Sequence, residues 1–160
     1  MEKINKLKKI LKQEKIDGYL IPKNDEFFGE YTTEYNDRLN FISGFTGSYG
    51  FALVLKDKNY LFVDGRYTLQ ADNQSGKLFK IITIPDKMPS DIFKGKKLLI
   101  GFDPNLFTDK SLFIFFGKDK FKFKPIFKNL IDKIWRRKIG INRNKFYLLP
   151  NKAVSEKYNF

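Results

Sequence analysis

Histidine and cysteine are both missing from this 160-residue chain. Without cysteine there is no disulfide framework, no thiolate metal site and no cysteine nucleophile, a pattern compatible with the cytoplasm, where the chain is expected to reside. Without histidine no Ser-His-Asp triad can form, and a hydrolytic metal centre would have to be assembled from carboxylates alone. Long apolar runs are absent too. The N-terminus from Met1 to Lys6 leads into a lysine-rich amphipathic stretch with no apolar signal region or small-residue cleavage site, so neither secretion nor membrane insertion is expected.

Aromatic and basic residues are abundant. Hydrophobic residues make up 42% of the chain and aromatics 17%, with 18 Phe, which is the composition of a chain that buries a core and folds as one domain with a short extension. The formal net charge of +13 raises nucleic acid or an anionic surface as a partner. The lysines are scattered over helices, turns and tail and form no tract. Lys, Asn, Ile, Phe and Tyr are also the residues that A/T-rich codons favour, so the charge reads as composition and a nucleic-acid role is disfavoured.

Hydrophobic spacing lays out alternating elements. Ile4, Leu7, Ile10 and Leu11 mark one face of a helix ending near Gln13 to Lys15, and Tyr19 to Ile21 forms a strand closed by Pro22. Lys23 to Asn36 is a long loop, followed by a short helix from Asp37 to Ile42 and a glycine-rich turn, Gly44 to Gly50. Phe51 to Leu55 and Tyr60 to Val63 read as a hairpin of two central strands, because both are apolar throughout. Arg66 to Asn73 suits a helix, Leu78 to Ile84 a strand, Pro89 to Phe93 a helix and Lys97 to Phe102 a strand. A helix capped by Thr108 then runs to Phe116, Phe121 to Lys124 alternates as an edge strand does, and Ile126, Leu130, Ile131, Ile134 and Trp135 predict a final helix. The fold class is α/β, with a mixed β-sheet flanked by helices. One domain is expected over 1–138, with 139–160 a linker and the start of a following domain that is not present.

Few residues could carry chemistry. Asp25, Glu26, Glu30, Glu34 and Asp37 are dense, but Phe27 and Phe28 interrupt them and no calcium-loop spacing occurs, so a solvated loop is expected and no metal site. The glycine turn could cradle a phosphate, yet it lacks the Gly-Lys-Ser/Thr ending of a P-loop and leads into a strand; Gly44, Gly47 and Gly50 read as a structural turn. Asp64 stands where a strand passes into a helix and can cap it, with Gly65 permitting the turn. Arg66 can clamp a carboxylate, either an internal one on Asp37 or Asp64 or one from a substrate or second subunit, and Arg38 has the same two readings.

Tyr19-Leu20-Ile21-Pro22, Asn24-Asp25-Glu26, Glu30-Tyr31, Tyr35 with Asp37-Arg38-Leu39, Gly44-Phe45-Thr46-Gly47-Ser48 with Gly50, and Val63-Asp64-Gly65-Arg66-Tyr67 with Gln70-Ala71 occur in one order and spacing. Together they resemble the N-terminal, creatinase-type domain of cytosolic Xaa-Pro aminopeptidases (aminopeptidase P), in the creatinase and prolidase superfamily. The resemblance implies a mixed sheet related to the ribonuclease H motif. It also implies that removal of an N-terminal residue preceding proline is performed by a separate C-terminal "pita-bread" domain holding two Mn²⁺ or Zn²⁺ ions. For this chain it implies no catalytic residue and no cofactor of its own. Its expected partners are that catalytic domain, a second copy in a homodimer and the parent's peptide substrate, with Arg38, Asp64, Arg66 and Tyr67 contributing to substrate access or an interface. Phe27 stands where family members often carry histidine, and Tyr49 replaces a commonly small residue. Two other readings stay open: a stand-alone protein-binding module of catalytically dead creatinase type, and a basic nucleic-acid-binding domain.

Overall fold

Six strands form one mixed sheet in the order β4-β3-β2-β1-β5-β6, and helices cover both of its faces. The computed structural model describes residues 1–29, 31–117 and 121–137. Along the chain these are α1 (Glu2–Gln13), β1 (Gly18–Pro22), α2 (Arg38–Ser43), β2 (Gly50–Leu55), β3 (Asn59–Asp64), a 3-10 turn (Gly65–Tyr67), α3 (Thr68–Ser75), β4 (Lys80–Ile84), α4 (Pro89–Ile92), β5 (Leu99–Phe102), α5 (Asp109–Phe116) and β6 (Lys122–Pro125). β2 lies antiparallel to both β1 and β3, while β3 with β4, β1 with β5 and β5 with β6 are parallel pairs. Consequently β1, β3, β4, β5 and β6 all end, and β2 begins, at the same edge of the sheet.

The apolar character of the central strands follows from this layering. Tyr19, Ile21, Ala52, Val54, Leu61 and Val63 face a core filled by Ile4, Leu7 and Leu11 of α1 and Leu39 and Ile42 of α2. Their alternating neighbours Leu20, Phe51, Leu53 and Phe62 face a second core closed by Phe93, Leu112 and Phe116. With both faces covered, every residue of β2 is buried. Each such Leu, Ile or Phe contributes about 1.5–3 kcal/mol of burial. The second core is strongly aromatic, with Phe51 stacked on Phe62 at 4.7 Å and tilted against Phe115 at 4.4 Å.

β6 is an edge strand carrying Lys122 and Lys124, as its alternation predicts. Thr108 caps α5, its hydroxyl accepting from the Ser111 N–H at 3.1 Å.

The final helix predicted over 126–135 does not form. That stretch is a series of turns. Asn129 provides the reason: its side-chain oxygen accepts from the Ile131 N–H at 2.9 Å, and its amide donates to the buried Asp103 carboxylate at 2.8 Å. These bonds compete with helical pairing. The apolar residues still reach the core, since Ile126, Leu130 and Ile131 are buried and Trp135 stacks on Phe41 at 4.7 Å. The predicted domain boundary at 138/139, the linker and the following domain lie outside the described residues, as does Glu30.

Candidate functional site

Asp64, Arg66 and Tyr67 follow the end of β3, where Tyr67 meets the glycine turn, while Arg38 at the start of α2 pairs with the C-terminal turns. The glycine turn begins at Gly44, the left-handed C-cap of α2, at φ 81°. Gly50 has φ 155°, and a Cβ there would lie 2.7 Å from the Phe62 carbonyl oxygen, so only glycine fits beside β3. At Gly47 the limit is a close approach to the Phe45 ring, 2.3 Å from the position of a Cβ. Gly65 has neither constraint, since the nearest atom is 4.0 Å away; the turn there is set by Asp64 instead.

Thr46 and Gln74, which the sequence reading did not single out, tie this turn to α3. The Thr46 N–H donates to the Gln74 side chain at 3.0 Å, and Gln70 and Gln74 each donate to the Thr46 hydroxyl at 2.9 Å. The signal was the four-residue spacing of Gln70 and Gln74, which puts both on one helix face. The Phe45 N–H is likewise committed, to the Ser43 hydroxyl at 3.1 Å. Two of the turn's N–H groups are thus committed to internal partners. Ser48 and Tyr67 share a hydrogen bond at 2.7 Å, and Tyr67 meets Phe45 edge to face.

Asp64 accepts from the Arg66 N–H at 2.9 Å and pairs with its guanidinium at 2.6 Å. Hydrogen bonding from the Arg66 side chain holds this carboxyl below the usual aspartate range. The Arg66 side chain remains 75% exposed.

Arg38 is placed differently. It is 6% exposed, and its Nε and one terminal nitrogen donate to the two carboxylate oxygens of Asp132 at 2.9 and 3.0 Å. Its other terminal nitrogen has Glu26 at 3.8 Å and, among the described residues, no hydrogen bond. Arg137 also pairs with Asp132 and lies over the rings of Tyr35 and Trp135. Burial and the charge of Arg38 push the Arg137 guanidinium below its ordinary value.

The acidic loop is less solvated than its composition predicts. Asp25 and Asp37 are buried, the first accepting from the Phe27 N–H and Asn36, the second paired with Lys23 at 2.6 Å. Two clefts open at this end of the sheet. One of about 420 Å³ lies between the loop, the glycine turn and α5; another of about 610 Å³ includes Glu26, Arg38, Asn105 and Asp132.

The architecture and motifs have counterparts among known proteins. The family model of the creatinase/prolidase N-terminal domain matches residues 3–112. The chain belongs to this family. A relative named probable Xaa-Pro aminopeptidase P, from Coprinopsis cinerea, is 35% identical over 81% of the chain, and the match takes in 22% of the relative. The structure of X-prolyl aminopeptidase from Caenorhabditis elegans, described as a cytosolic enzyme with a di-nuclear active site, superposes with a TM-score of 0.75 at 30% identity. That match covers 84% of this chain and 25% of the enzyme. The N-terminal domain of cytoplasmic peptidase PepQ from Mycobacterium tuberculosis H37Rv shares the fold, with a TM-score of 0.64 at 21% identity over 84% of this chain and 98% of that one.

This creatinase-type domain thus spans about a quarter of the length of the aminopeptidases it matches. Among its described residues no group of three or more Asp, Glu, His or Cys side chains converges to hold a metal ion, so a di-nuclear centre does not fit the residues described. Among the same residues, no helix is long and apolar enough to cross a membrane.

Proposed function

We propose that the chain acts as the non-catalytic N-terminal domain of a metal-dependent Xaa-Pro aminopeptidase of the cytoplasm. In this role it is partnered by a catalytic domain that carries the two metal ions, and it assists substrate access and dimer formation. The observation that carries the reading is the match, in sequence and in three dimensions, to one quarter of enzymes named for Xaa-Pro cleavage. The Asp64–Arg66 pair and the hydrogen-bonded Tyr67 and Ser48, after the end of β3, are the groups assigned to that help. Arg38 acts from inside, by fixing the loop and α2 to the C-terminal turns.

The direct test is hydrolysis by the purified chain. Incubated with Mn²⁺ or Zn²⁺ and an Xaa-Pro peptide, it is expected to release no N-terminal residue. Metal-dependent release above a metal-free control would overturn the proposal.

A further inference from the structure

The sheet topology sorts charge between its two edges. At the edge where β1, β3, β4, β5 and β6 begin and β2 ends, Lys15 precedes β1, and Lys56 and Lys58 lie in the turn from β2 to β3. Lys80 opens β4 opposite Tyr60, Lys97 precedes β5, and Lys122 opens β6 opposite Leu99. All six are exposed, and Lys97 and Lys122 share a hollow of about 450 Å³ with Asp17. Only Lys56 makes an ion pair among the described residues, with Asp17 at 2.8 Å. Carboxylates here are few: Glu14 is taken by Lys124 and Lys133, Asp17 also accepts from the Leu99 N–H, and Asp57 is exposed.

The opposite edge has the other sign. Asp25, Glu26, Asp37, Asp64, Asp86 and Asp103 follow the ends of β1, β3, β4 and β5, where Lys23 and Arg66 are matched by Asp37 and Asp64. Glu30, Lys118, Asp119 and Lys120 lie outside the described residues. Lysines that are scattered in sequence are thus gathered in space, and acids are kept to the other side. Drift in composition alone would spread both. Lys15 adds a separate sign: it holds φ 55° just after the C-cap of α1, a position that favours glycine or asparagine.

Geometry and chemistry select the partner. Across the six strands from Lys80 to Lys122 the row runs about 24 Å, the length of about seven base pairs. Ammonium groups on flexible stems act as point charges suited to phosphate oxygens. In the described connections at this edge no large apolar side chain is exposed, which leaves neither an anchor for a lipid surface nor a stacking platform for unpaired bases. A duplex meets such a row with regularly spaced phosphates, as an acidic polypeptide does not.

We propose that the lysine edge binds double-stranded nucleic acid through its phosphate backbone, without reading sequence. The test is fluorescence anisotropy of a labelled DNA duplex of about 20 base pairs, titrated with the full 160-residue chain at about 50 mM salt. Saturable binding is expected with Kd between about 1 and 100 μM, and log K should fall against log salt with a slope of about −4. Lys58→Gln with Lys97→Gln should weaken binding about tenfold and make that slope shallower by about 2. Lys87→Gln with Lys110→Gln removes the same charge after the ends of β4 and β5 and should change affinity less than about twofold. Both double variants keep residues 139–160, so the charges there cancel from the comparison. Lys15→Gly should weaken binding about threefold while its urea midpoint stays at or above wild type, since charge is lost and backbone strain relieved. Trp135, packed on Phe41, reports by its fluorescence that each variant is folded. Absence of saturation by about 0.5 mM, equal weakening in the two double variants, or wild-type affinity in Lys15→Gly overturns the proposal. So does equal or tighter binding to the single strand, to polyglutamate or to phosphatidylserine vesicles. Failure here leaves the aminopeptidase reading standing, because none of these lysines belongs to it.

Discussion

Arg38 and Arg66 offer the same fork to the same kind of partner in two unlike settings. Arg38 is buried at 8% side-chain exposure and grips Asp132 with two parallel bonds across 94 positions of sequence; Arg66 is 75% exposed and grips Asp64, two residues away. The first pair joins distant segments, and removing Asp132 strands the guanidinium of a residue that is buried. The second organises a single turn in solvent, where screening and side-chain entropy leave an ion pair little net value. Residue type alone is silent on this difference. Burial and sequence separation decide it.

The comparison breaks most sharply at Arg38. Arg38→Ala should cost about 2–4 kcal/mol in urea unfolding, less than for a wholly buried pair because Asp132 is 37% exposed. Arg38→Lys should recover only part of that, since an ammonium cannot reproduce the bidentate geometry. Next in size is Asn129→Ala, which removes the bonds to Ile131 and Asp103 from a buried site and should cost about 1–3 kcal/mol by the same measurement.

At the exposed turn the effects shrink. Asp64→Ala loses the cap on the Arg66 N–H and should cost about 1 kcal/mol. Arg66→Ala should stay within about 0.5 kcal/mol at neutral pH. Because Arg66 lowers the folded-state pKa of Asp64, the pair's contribution is present above the ordinary aspartate value of about 4 and is lost as pH falls through the lower folded value. Wild type and Arg66→Ala should therefore converge in stability below about pH 4, followed by urea midpoints across pH. A gap that widens with acid would show that the pairing is assigned wrongly.

The same contrast explains what could be read from sequence. The hairpin of β2 and β3 was legible because two apolar runs flank a polar turn, and the cap on α5 because Thr108 and Ser111 are three apart. Asp64 was foreseeable as a partner for Arg66 for the same reason of nearness. Asp132 was not foreseeable for Arg38, and the turns after β6 were read as a helix because the apolar spacing of Ile126, Leu130 and Trp135 suits either form. Asn129 decides between them through Asp103, 26 residues away. Burial of Asp25 and Asp37 was hidden in the same way, since an acidic loop reads as solvated until its partners Asn36 and Lys23 are placed.

The proposed role makes this domain the N-terminal quarter of an Xaa-Pro aminopeptidase. It is tested most directly by replacing the matched quarter of the Caenorhabditis elegans enzyme with this chain and measuring release of the residue before proline. The account predicts a folded chimera with metal-dependent activity within about tenfold of the parent, a difference of about 1.4 kcal/mol in transition-state stabilisation. A chimera that folds and binds its metal ions but cleaves no Xaa-Pro bond would contradict it.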